Sequence, residues 1–163
     1  MNVISVEDIQ ETADRISNFS LEETKLMMRR FKVKQKYLLI YTAATAERDF
    51  NDEEEDIFIF LCMTFWRLLS ERIPGMRMVS REDLEEMEER NTKELEKWGA
   101  YEESAQFVSA DAMLRQLEQP HMFGYALDMI TESENVRDDF RGLMLLHVRT
   151  ILDCLLKASK PVN

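Results

Sequence analysis

The chain predicts an all-α fold: a bundle of six or seven helices around a central apolar helix (about 53–73), with one long, highly charged helix (about 81–106) along one side. Three observations carry that prediction. Four Gly and three Pro make 7 of 163 residues, about a third of average usage, and a sandwich or barrel of tight turns needs more of both. Apolar residues recur at steps of three and four, which marks one face of a helix. At 45% hydrophobic residues the chain can bury a core, so general disorder is excluded. Helix on helix is the layered solution open to a chain without strands. The length fits a single all-α domain, 1–163, with no Ser/Gly-rich linker and no internal repeat.

The elements follow in order. Ser5 caps a first helix with Asp8 in its third position, and Val6, Ile9, Ala13 and Ile16 share one face. Ser20 and Glu23 form a capping box for a second segment, which runs to about Arg48 with a break near Val33. Asn51 and Asp52 introduce a third, whose first turn gathers Glu53, Glu54, Glu55 and Asp56 at the positive end of the helix dipole. Behind those acids, Ile57–Trp66 is apolar almost all round, which predicts burial. Pro74 and Gly75 end it. Ser80 caps the long charged helix from Arg81 to about Gln106, in which Gly99 weakens the last turns. Ser109 caps a short helix holding Met113, Leu114 and Leu117. Pro120 opens the next, and the last runs from about Val136 to Lys157.

Charge narrows the functional classes. There are 32 acids against 21 Lys plus Arg, a formal net charge of −11. Such a chain repels phosphate backbones, so no nucleic acid is expected as partner. The ten-residue apolar run cannot span a bilayer that needs about 20 residues, and no secretory signal opens the sequence, so a cytoplasmic protein is expected. Cys62 and Cys154 lie in apolar surroundings and read as small buried hydrophobes.

Two charged segments stand out. Lys25, Arg29, Lys32 and Lys36 step by 4, 3 and 4, one basic stripe in a continuous helix. It can attract an anion or an acidic partner; the plainer account is a solvated face. In the charged helix, Leu84, Met87, Asn91, Leu95 and Trp98 form a narrow stripe like a coiled-coil seam, with Asn91 able to set register. That stripe is the candidate self-association surface; the plainer account is a surface helix on the bundle.

Catalytic constellations are weaker. Glu85, Glu86 and Glu89 read EExxE and could bring carboxylates to one cation, joined by Glu53 or Asp56, but one acidic helix seldom supplies the octahedral oxygen shell of Mg²⁺. Glu118 and His121 read ExxH, a di-iron bundle fragment interrupted by Pro120. His147 has Leu143 and Met144 at the offsets where a carboxylate would be needed, so it reads as a core residue. No Gly-rich phosphate loop and no GxSxG is present. The leading expectation is therefore a non-enzymatic helical interaction module without cofactors, a homo-oligomer or the binder of a protein partner. The alternatives are a metal-dependent nucleotide hydrolase of the all-α type, and a small-molecule-sensing bundle with a pocket lined by Phe58, Phe65, Trp66 and Phe123. Eleven Met could serve either an adaptable surface or the core.

Overall fold

A computed structural model describes residues 1–98 and 114–161, and the side chains of all of these except Lys97 and Trp98. The described chain is all-helical. Its elements are α1 (Val6–Ser17), α2 (Leu21–Lys34), α3 (Lys36–Asp49), α4 (Asp52–Arg72), α5 (Arg81–Trp98), α6 (Pro120–Glu132) and α7 (Asp138–Ala158). The expected run of the charged helix to Gln106, and most of the short helix capped by Ser109, lie outside the described residues.

The helix starts follow the local chemistry. Ser5 accepts from the Asp8 amide at 3.1 Å, and Ser20 and Glu23 exchange the two bonds of a capping box. Asn51 and Glu54 form a second box at the start of α4. Ser80 accepts from the Asp83 amide at 3.0 Å. Each bond satisfies one of the amides that a helix start leaves without an intrahelical partner.

The break expected near Val33 falls two residues later. Gln35, with φ −136° and ψ 56°, leaves the helical region, and its buried side chain replaces the lost regularity with tertiary bonds. Its amide nitrogen donates to the Arg77 carbonyl at 3.0 Å, and its carbonyl accepts from the Val79 amide at 2.8 Å. Gln119 does the same for the amino-terminal segment, binding the Ile4 amide at 2.8 Å and the Asn2 carbonyl at 3.0 Å. Buried amides of this kind satisfy backbone groups that loops would otherwise leave unpaired.

Along α4, Phe58, Leu61, Phe65, Leu68 and Leu69 are fully buried. α4 contacts α1, α3, α6 and α7. α7 is buried as deeply, through Met144, Val148, Ile151 and Leu155, and it packs against α4, α5 and α6. The hydrophobic core is thus centred on two helices. α2 is peripheral: only Met27 and Phe31 are buried, Phe31 meeting Trp66 edge-on at 5.1 Å. No described helix is long and apolar enough to cross a membrane.

Candidate functional site

The outer face of α2 is the first candidate. Lys25, Arg29, Lys32 and Lys36 are all exposed, but Gln35 separates Lys36 from the other three. The alignment of all four needs one continuous helix; the break at Gln35 leaves three of them on α2, with Lys36 opening α3. The same helix, α2, also leaves apolar residues outside. Leu26 is 43% exposed and Val33 71%. Seven positions apart, they share the face opposite Met27 and Phe31, with Arg29 and Arg30 on either side. Ile40 on α3 is 52% exposed. Sequence reasoning found the charges here and missed the apolar residues, because a period does not say which side of a helix is covered.

The seam on α5 has the opposite fate. Leu84 and Asn91 are buried, and Met87 lies against the core. Asn91 donates to Thr150 Oγ1 and to Asp153 Oδ2, both on α7, at 3.2 Å. Arg90 pairs with Asp153 at 2.9 Å and Arg149 with Glu94 at 3.0 Å along the same contact. The stripe expected to seat a second copy is occupied by α7 of the same chain from Leu84 to Asn91. Leu95 is 46% exposed, and the Trp98 side chain lies outside the described residues. The exposed side of α5 is acidic: Glu82, Glu85, Glu89 and Glu96 step along one flank. That flank adjoins α3, since Arg81, Glu85 and Glu88 line a small cavity of about 230 Å³ with Tyr37, Ile40 and Tyr41.

The carboxylates proposed for metal chemistry do not converge. Glu85, Glu86, Glu89, Glu53 and Asp56 are exposed, and among the described residues no group of three His, Cys, Asp or Glu could hold a metal ion. Glu118 pairs with Lys160 at 3.3 Å, and His121 is exposed. Of the aromatic residues expected to line a pocket, Phe58, Phe65 and Trp66 are packed into the core. Phe123 borders a cavity of about 280 Å³ between α5, α6 and α7. Its cations Arg90, Arg149, Lys157 and Lys160 already pair with Asp153, Glu94, Asp83 and Glu118.

His147 corrects the expectation of a histidine without carboxylates. Its Nδ1 lies 2.8 Å from the Tyr41 hydroxyl and 3.4 Å from Glu88, and its Nε2 lies 3.5 Å from Asp49. Tyr41 also donates to Glu88 at 3.1 Å. The partners come from α3 and α5, so offsets along α7 could not reveal them. Burial holds the imidazole below its ordinary pKa, against Glu88 and Asp49, which favour its charged form. Burial likewise raises the Tyr41 phenol. The ring edges of Phe50 and Phe58 close the site. A neutral, enclosed imidazole between acids ties three helices together and offers no activated nucleophile. The two thiols are equally quiet: burial raises Cys62 and pushes Cys154 up to about 12.

Compared with family models, with curated proteins and with solved structures, the chain finds no match in any of the three.

Proposed function

We propose that the chain is a non-enzymatic interaction module that self-associates, the basic and apolar outer face of α2 in one copy meeting the acidic flank of α5 in another. The observation that carries this reading is the pair Leu26 and Val33, exposed among Lys25, Arg29 and Arg30 in a chain of net charge −11. Charged side chains alone are adequately solvated in water; apolar ones between them favour a partner that covers them. The partner's complementary charge steers approach and sets register.

α3 packs against both α2 and α5. A two-fold axis near Ile40 would set α2 of each copy over α5 of the other. That arrangement closes on itself, as isologous dimers do.

Sedimentation velocity at two salt concentrations tests the reading. A dimer is expected at about 0.1 M salt, weakening at about 1 M, where charges more than about 3 Å apart in water are screened. A monomer at both concentrations, at high protein concentration, would remove the proposal.

A further inference from the structure

We propose that the groove between α2, α3 and α4 is a binding site for an amphipathic cation, an amine carried on a hydrocarbon or aromatic body. The groove encloses about 490 Å³, within the range of about 300–1,000 Å³ typical of small-ligand sites. It exists because the middle of α3 reads Thr42-Ala43-Ala44-Thr45-Ala46, and the small side chains of Ala43 and Ala46 leave space between α2 and α4. Met28 and Leu39 line one end, Ile59 and Met63 the wall along α4. The two methionines are unbranched and adapt to the shape of an apolar occupant.

The polar groups decide the charge of that occupant. Three carboxylates, Glu47, Asp52 and Glu55, line the groove where α3 ends and α4 begins, and no basic side chain lines it. Among the described residues none of the three has an ion-pair partner, in contrast to Glu54 in the same turn, which binds Arg137 at 2.7 Å. The negative dipole end of α3 and the positive dipole end of α4 meet at this opening and offset one another, so the carboxylates set the sign of the local charge. Stabilising the start of α4 accounts for acids in its first turn, but not for Glu47 on α3 beside the same opening. An anion here would meet three negative charges with no compensating donor. A cationic head at the carboxylates with its body along Ile59 and Met63 satisfies both parts of the groove. This site is separate from the outer face of α2, so it stands or falls independently of self-association.

The test is isothermal titration of the full chain with dodecyltrimethylammonium below its micelle concentration, against dodecanoate, which has a matched tail and the opposite head. Saturable binding of one ammonium per chain is expected, about tenfold or more tighter than dodecanoate. Ala43→Phe places a large ring in the groove from an exposed position and should abolish binding with the melting temperature kept. Glu47→Gln with Glu55→Gln, both on the surface side of the groove, should weaken the ammonium about tenfold while leaving dodecanoate no weaker. Equal affinity for the two probes, unsaturable uptake, or ammonium binding unchanged in either variant overturns the proposal.

Discussion

Helices α2 and α5 are the two strongly charged helices of the molecule, and they handle their apolar residues in opposite ways. α5 turns Leu84 and Met87 inward, with Asn91 bonded to α7, keeps only Leu95 of its described apolar stripe exposed, and shows acids outside. α2 turns only Met27 and Phe31 inward and leaves Leu21, Leu26 and Val33 in water beside its basic residues. The difference teaches that charge density alone does not mark an interaction surface. A charged helix with its apolar stripe covered is structural; one with apolar residues uncovered among its charges has capacity left for a partner.

The sharpest way to break that contrast is truncation on each helix. Leu84→Ala removes a 4% exposed side chain from the α5–α7 contact and should destabilise the fold by about 2–5 kcal/mol in urea denaturation. Val33→Ala, at a residue 71% exposed, should change stability by less than about 0.5 kcal/mol. Comparable losses at the two positions would erase the distinction between a structural face and an open one.

A second test concerns a polar contact on the structural side. The Glu54 carboxylate, 0% exposed, closes the cap of α4 and accepts from Arg137 at the start of α7. Glu54→Ala should cost about 2 kcal/mol, from the lost charged hydrogen bonds and the lost box together. The Arg137 guanidinium holds this carboxyl down to about 2. The unfolded chain therefore takes up the proton first as acid is added, and stability falls as pH drops from about 4.5 toward about 2. In Glu54→Ala the denaturation midpoint should fall less steeply across that window.

A pH-dependent stability effect is expected at His147. Burial lowers its folded pKa, so the unfolded state binds the proton more readily. Stability is then fully present above about pH 6.5 and declines as pH falls below it. Denaturation midpoints at successive pH values should show a shallow decline there, and His147→Gln, which cannot titrate, should lack it. A midpoint that rises on acidification through that range would mean that Glu88 and Asp49 outweigh burial.

Much of the architecture was legible because it is written in local chemistry. Ser5, Ser20 and Ser80 announce helix starts through bonds a few residues long, and Pro120 marks the opening of α6 through its fixed φ at the first helical position. The apolar run of α4 was equally plain. What stayed hidden depends on residues distant in sequence. Gln35 breaks the helix pair because Arg77 and Val79, 42 and 44 residues away, bind its side chain. His147 finds acids on α3 and α5, 98 and 59 positions away by sequence number. The α5 stripe fitted either a second copy or a surface helix on the bundle, and Leu84, Met87 and Asn91 pack within the same chain, because the pattern of one helix does not name what covers it. The groove beside Ala43 was invisible for the same reason: a run of small residues implies close packing as readily as an opening.

Charge exchange between copies tests the central claim most directly. One variant carries Arg29→Glu and Lys32→Glu, which makes the α2 face acidic like α5; the other carries Glu85→Lys and Glu89→Lys, which makes the α5 flank basic like α2. By sedimentation at about 0.1 M salt, each variant alone should be monomeric, because like charges face each other across both contacts, and an equimolar mixture should form the dimer. Variants that still dimerise alone, or a mixture that stays monomeric while the unaltered chain dimerises, would contradict the pairing of α2 with α5.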